Sequence, residues 1–242
     1  MEALLDMGKI TIELNDVIES KLRTFVRDNY LKPHGQLSTV IEKAIQEFVS
    51  RQSVLDFVDQ IGQGRHVLLV YQDKEMARTV ELRFLLNGLR KGLDVFYFLT
   101  SGEEITSELV NNQLAEYASQ LGVSYNQKNV HILSLAYPPM HSKKMAKEAV
   151  RIVTAGIGSL SPAYAVVHFY SPSGGEEARR AELEIETEFQ ASFSGFPGSL
   201  LCNIPIGEVN PAIISRWVAD EIMRHQDVIC CLEGKHLVYK LD

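Results

Sequence analysis

The chain has 242 residues, 45% of them hydrophobic and 23% charged, the balance of a globular protein long enough to bury a substantial core. The formal net charge of −7 excludes a uniformly basic surface, so any contact with nucleic-acid phosphates has to come from a local face. No run reaches the roughly 18 apolar residues of a membrane helix. The start MEALLDMGK lacks the basic head and apolar stretch of a secretory signal, so a cytoplasmic location without membrane partners is expected.

Residues 9–16, KITIELND, alternate Ile10, Ile12 and Leu14 with Lys9, Thr11 and Glu13. That period of two predicts a strand with one buried face. Asn15 or Asp16 supplies an N-cap for a helix over VIESKLRTFVRDNY, where Ile18, Leu22, Phe25 and Val26 follow helical spacing. Lys32-Pro33-His34-Gly35 breaks it. QLSTVIEKAIQEFVSR then forms a second helix with Val40, Ile41, Ala44, Ile45, Phe48 and Val49 on its apolar face. A lone strand leaves both edges unpaired, and two short helices cannot bury these faces alone. A homodimer that pairs two copies of the strand over four helices resolves both problems.

Residues 50–62 read as a short connecting helix with Val54, Phe57, Val58 and Ile61 on one face, ended by Gly62 and Gly64. The expected organisation is a module over 1–51, a linker helix over 52–64 and a larger domain over 65–242. In the larger domain, strands and helices alternate, the pattern of an α/β fold with a mostly parallel sheet. HVLLVY (66–71) is a continuous apolar run, as a strand buried on both faces should be. A helix over 74–91, a strand over 93–100, a helix over 106–121, a strand over 129–135, a helix over 142–158 and a strand over 163–170 follow. Residues 176–193 read as helical, SLLCNIP as a strand and NPAIISRWVADEIMRH as a helix started by Pro211. The end, DVICCLEGKHLVYKLD, reads as a hairpin turning near Glu233-Gly234.

Residues 9 to about 51 resemble the ribbon-helix-helix family of Arc/CopG-type DNA-binding proteins. The resemblance rests on the I-T-I-E-L strand, the breaker near Gly35 and the L-S-x-x-I-E-x-A-I opening of the second helix. It implies that paired strands enter the major groove, with Lys9, Thr11 and Glu13 facing base edges. It also implies that the second helix grips a phosphate through its N-terminus at Gln36, Leu37 and Ser38. Residues 1–52 carry seven Lys/Arg against eight Asp/Glu, and Glu13 repels phosphate, so dimerisation without DNA contact stays open.

The larger domain resembles the RecA/KaiC-like ATPase fold, most visibly at FLLNGLRKGLDVFYFLTSGEE (84–104). Nucleotide hydrolysis in that fold needs a glycine-rich loop with G-K-[ST] after the first strand. Here YQDKEMART (71–79) has no glycine, and Ala77 and Arg78 fall where the lysine and hydroxyl belong. Asp73 and Glu75 add negative charge where a triphosphate would sit. The strand AYAVVHFY also lacks an acidic metal ligand at its end. The region is more similar to the sensory (MEDS) domain of DcmR-type regulators. The shared features are H-V-L-L-V-Y-Q-D, N-G-L-x-K-G and L-L-C-N-I-P ahead of His225, Val228 and Ile229.

Ligands of open α/β sheets bind at the C-terminal strand ends. Those positions are Tyr71, Gln72 and Asp73, then Thr100, Ser101 and Glu103, then Tyr170 and Ser171, with the loop 171–175 beside them. His66, His131 and His168 lie in or near central strands but at different ends, so no metal site is expected. Cys202, Cys230 and Cys231 have no zinc spacing and read as buried thiols. No G-x-S-x-G nucleophile motif is present, and the charge run 176–188 reads as a solvated helix face. The sequence thus points to a non-enzymatic, homodimeric or higher-order transcriptional regulator without a cofactor. DNA and a small-molecule effector are its expected partners. An oligomeric interaction scaffold and a nucleotide-binding KaiC-like protein are the alternatives.

Overall fold

A computed structural model describes residues 13–30, 36–100, 106–135, 143–160, 162–168, 184–191, 193–196, 198–206, 222 and 224–241. The chain divides into two compact units, Met1–Phe48 and Val49–Asp242.

In the first unit, α1 spans Asp16–Asn29. Asn15 caps it, its side-chain oxygen accepting from the Ile18 N–H at 2.9 Å. Residues 13–15 are neither helix nor strand, and the remainder of the expected ribbon lies outside the described residues. The helix α2 begins at Gln36 and runs unbroken to Gln60. The residues expected to form a separate connecting helix are therefore the C-terminal part of α2. No glycine or proline stands at 49–53 to interrupt it. That part belongs to the second unit, and Val54, Val58 and Ile61 are buried in its core.

The second unit is a mixed α/β domain around one seven-stranded sheet. Its strands are β1 (His66–Tyr71), β2 (Asp94–Thr100), β3 (Val130–Leu135), β4 (Ala163–His168), β5 (Gly198–Pro205), β6 (Asp227–Leu232) and β7 (Lys235–Lys240). Their order is β3-β2-β4-β5-β1-β6-β7. All neighbours are parallel except the β6–β7 hairpin. That hairpin turns at Glu233-Gly234 as expected, with Gly234 at φ +69°, a left-handed conformation that glycine adopts without a Cβ clash. The sheet is thus mostly parallel, with one antiparallel strand at the β7 edge.

Side chains alternate between the sheet's two faces. One face carries Leu69, Val95, Tyr97, Tyr164, Val166 and Leu201, and packs against α2, α3 (Lys74–Arg90) and α4 (Ser107–Gln120). The other carries Leu68, Phe96, Phe98, Ala165, Leu200 and Cys202, and packs against α5 (Lys143–Ile157) and residues 184–191.

The N-G-L-x-K-G stretch gains a physical meaning here. The Asn87 amide donates to the carbonyls of Val58 and Ile61 at 2.9 and 3.0 Å. Lys91 Nζ donates to Ile61 as well. The carbonyls at the C-terminal end of α2, Val58 within the helix and Ile61 just after it, thereby gain partners from Asn87 in α3 and from Lys91 at its C-cap. Among the described residues no helix is long and apolar enough to cross a membrane. The helix expected over 210–225 lies almost wholly outside the described residues.

Candidate functional site

The first strand-to-helix turn, where a phosphate loop would lie, is occupied by the protein's own ion pairs. Gln72 and Asp73 donate their N–H groups to the Cys231 carbonyl. Asp73 caps α3, Oδ1 accepting from the Met76 N–H at 2.9 Å, and its Oδ2 accepts from Arg51 Nη2 at 2.9 Å. Arg51 Nε lies 3.3 Å from His236 Nε2. Both carboxylate oxygens of Asp73 are thus already engaged. Cys231 is beside them, its thiol pushed up to about 12 by burial, with Asp73 and Cys230 acting in the same direction, so it is not a nucleophile at neutral pH.

One turn further along α3, Arg78 reaches the sheet. Its Nη1 donates to Glu81 Oε2 at 2.7 Å and to the Tyr97 hydroxyl oxygen at 2.6 Å, and Nε donates to Gln113. Tyr97 donates to Glu81 at 2.8 Å. The Asn203 amide donates to the other Glu81 oxygen at 2.6 Å, and His168 Nε2 lies 2.7 Å from the Tyr97 hydroxyl and 2.9 Å from Asn203 Nδ2. Burial alone would raise the Glu81 carboxyl, but His168 and Arg78 overcome it and hold the group at about 2. The five residues come from α3, β2, β4 and β5, and the pairing of His168 with Asn203 across neighbouring strands brings them together. Two buried atoms of this network have no hydrogen-bond partner: Arg78 Nη2, a donor, and Asn203 Oδ1, an acceptor.

The expected strand-end site is only partly visible. Tyr71 is half-buried and Gln72 exposed, and Thr100 closes β2. Ser101, Glu103, Tyr170 and Ser171 lie outside the described residues, as do Lys9 and Thr11 of the expected DNA-reading strand. Glu13 is exposed ahead of α1, and Gln36, Leu37 and Ser38 form the first turn of α2. Sequence reasoning missed Glu81, Tyr97 and Asn203. The i, i+3 spacing of Arg78 and Glu81 was the one local signal, since such a pair meets on a helix.

The three histidines considered from the sequence occupy three separate environments, as their positions suggested. His131 pairs with Asp94 at 2.7 Å and stacks on Phe96, and His168 belongs to the Arg78–Glu81 network. His66 is completely buried on the opposite sheet face. The sequence pointed to no metal site, and here four potential ligand residues lie together. His66, Cys202, His225 and Glu186 converge, one ligand atom from each lying within 4.8 Å of the others. Cys202 is a buried free thiol, as expected, and lies within this group. Burial lowers the His66 imidazole to about 4, against a smaller opposing effect of Gln190, so the ring is neutral at neutral pH. A separate open groove of about 550 Å³ is lined by Lys147 and Arg151 of α5 and by Glu188, Gly195 and Phe196, among others.

No protein-family model matches the chain, and no curated protein matches it. Solved structures do resemble it. One is a KaiC-like protein from the hyperthermophilic archaeon Pyrococcus horikoshii OT3, at 15% identity and a TM-score of 0.47, covering 71% of this chain and 73% of that one. A second Pyrococcus horikoshii OT3 protein aligns at 12% identity and a TM-score of 0.42, covering 77% of this chain and 91% of its own. These likenesses concern the α/β fold and nothing finer.

Proposed function

We propose that the protein is a homodimeric DNA-binding regulator whose α/β unit is a non-hydrolysing sensory domain. The observation that carries the reading is the apolar face of the N-terminal unit. Ile18 and Phe25 on α1 are each 50% exposed, and Ile45 and Phe48 on α2 are 45% and 67% exposed. They recur at helical spacing with half-buried Leu22 and Ile41. Scattered single apolar residues on a surface need no explanation, but a face repeated on two successive helices marks an interface. A second copy of the unit is the occupant, because its own apolar face is the matching surface in an isologous dimer. The segments Lys9–Leu14 would form strands on dimerisation and pair across the two-fold axis. Lys9, Thr11 and Glu13 would then face base edges, and the first turn of α2 at Gln36–Ser38 would face a phosphate.

The sensory assignment is supported by the Arg78–Glu81–Tyr97–His168–Asn203 network. Its unsatisfied donor, Arg78 Nη2, and acceptor, Asn203 Oδ1, suit a small polar effector that both donates and accepts hydrogen bonds. Hydrolysis finds no support, since the turn after β1 has no glycine and no G-K-[ST], and its Asp73 is engaged by Arg51 and the Met76 N–H. The second reading, an oligomeric scaffold, is favoured by the same apolar face combined with the acidic balance of residues 1–52.

Two variants separate the readings. Phe25→Glu/Phe48→Glu is expected to convert the dimer to a monomer and to abolish DNA binding. Lys9→Ala/Thr11→Ala is expected to keep the dimer and weaken DNA binding at low salt by at least about ten-fold, the equivalent of one lost base contact. An intact dimer with unchanged DNA binding in the second variant overturns the DNA-reading half.

A further inference from the structure

We propose that His66, Cys202, His225 and Glu186 form a buried site for one divalent transition-metal ion of the zinc type. The four residues come from four different places in the fold. His66 opens β1, Cys202 lies in β5, His225 precedes β6 and Glu186 sits on the helical residues 184–191. All four are at least nine-tenths buried. Three of the hydrophilic residues sealed inside the α5 side of the sheet are therefore gathered at one point with a thiol.

The spacing suits metal coordination. His66 Nε2 lies 3.3 Å from Cys202 Sγ and 3.5 Å from Glu186 Oε2. His225 Nε2 lies 3.5 Å from the same Glu186 oxygen. Bonds of about 2.0–2.3 Å to a tetrahedral zinc ion place neighbouring ligand atoms about 3.3–3.8 Å apart. Those three separations match that spacing, and the remaining pairs, all within 4.8 Å, close around the ion as it binds.

The surroundings also present the ligands in the correct form. His66 Nδ1 lies 3.2 Å from Gln190 Oε1. An amide oxygen only accepts, so Nδ1 carries the proton and the Nε2 lone pair faces the cluster. This is the usual orientation of a ligating histidine, held by a partner behind it. Phe193 stacks on the His66 ring at 4.7 Å and closes one side.

Charge favours the assembled site as well. A dication with one thiolate, one carboxylate and two neutral imidazoles is neutral overall, which burial tolerates far better than an isolated charge. Binding releases the Cys202 thiol proton to solvent. The nitrogen and sulfur donors select zinc or cobalt over magnesium or calcium. Four protein ligands leave no open coordination position, so the ion ties the segments at 186 and 225 to the sheet and performs no catalysis. The site does not depend on the DNA-binding reading, and its test is independent of that reading.

The test uses the full-length protein, stripped with a chelator under reducing conditions and titrated with cobalt(II) chloride. One cobalt per chain is expected, with d–d absorption of tetrahedral intensity and a near-ultraviolet thiolate-to-cobalt charge-transfer band, both displaced by zinc. Cys202→Ser removes the charge-transfer band and Cys230→Ser leaves it intact. Gln190→Ala keeps all four ligands and weakens zinc binding by about ten-fold or more, so the proposal does not hang on the folding of a ligand variant. Absence of bound cobalt above the adventitious level overturns it. So does an octahedral spectrum without the charge-transfer band, a band lost in Cys230→Ser, or unchanged affinity in Gln190→Ala.

Discussion

Arg65 grips Asp227 through two parallel hydrogen bonds, Nε to Oδ2 at 2.8 Å and Nη2 to Oδ1 at 2.7 Å, joining the entry of β1 to the first residue of β6. The Asp227 side chain is only 3% exposed. Removing Arg65 leaves a carboxylate buried without its main counter-charge, a change that costs about 3–5 kcal/mol. Arg65→Ala is expected to lose that amount in urea denaturation, and Arg65→Lys to recover only part, since an ammonium cannot reproduce the planar fork. A loss below about 1 kcal/mol, the range of an exposed ion pair, would contradict this account of the β1–β6 seam.

Acid should weaken the Arg78–Glu81 network specifically. The Glu81 carboxyl is held at about 2, below the ordinary 4.5. A depressed carboxyl contributes stability in full above its unfolded value, and that contribution is lost as pH falls through the folded value. The stability difference between the wild type and Glu81→Gln should therefore be constant above about pH 5 and shrink between pH 4.5 and 2. Urea midpoints measured at several pH values check this. A difference that stays constant down to pH 3 would mean that Glu81 is not the ionised centre of the network.

Gly88 sets how closely α3 approaches the sheet. A Cβ there would meet Val95 Cγ1 at 2.8 Å and Tyr164 Cβ at 3.0 Å, both on fully buried side chains. Alanine gains about 1 kcal/mol of helix propensity over glycine, whereas overpacking a filled core costs about 1–3 kcal/mol. The two together make Gly88→Ala net destabilising by up to about 2 kcal/mol. A thermal melt showing stabilisation would contradict the close packing.

Much of the α/β unit was legible because its signals are local. HVLLVY reads as a strand because a strand buried on both faces needs an unbroken apolar run. The hairpin at Glu233-Gly234 reads from one glycine between two alternating segments. The continuity of α2 was not legible in the same way. The face at Val54, Phe57, Val58 and Ile61 was evident, but the lack of glycine or proline at 49–53 only permits continuation, and the apolar spacing alone does not show whether that helix starts afresh. The two polar clusters were hidden for a topological reason. His168 and Asn203 become neighbours only because β4 lies beside β5. His66 and Cys202 meet only because β5 pairs with β1 in a register that puts Cys202 opposite Leu68. Strand order is set by the packing of the whole sheet, and no short motif encodes it.

The α/β unit is expected not to bind or hydrolyse nucleotide. Asp73 is committed to the N-cap and to Arg51, and the guanidinium of Arg78 is drawn toward the sheet rather than toward solvent. Calorimetry with magnesium-ATP should register no binding heat at micromolar protein. A dissociation constant in the low micromolar range, or phosphate release above background, would show that these ion pairs open to admit a nucleotide.

The central claim is that the N-terminal unit pairs with a second copy and reads DNA. The most direct measurement is selection of random duplex DNA by the full-length protein at low salt, followed by sequencing of the bound fraction. The account predicts enrichment of a two-fold symmetric site, because a two-fold protein dimer imposes its symmetry on the half-sites it contacts. It also predicts that the enrichment disappears with Phe25→Glu/Phe48→Glu. A folded, dimeric wild-type protein that enriches no sequence would contradict it.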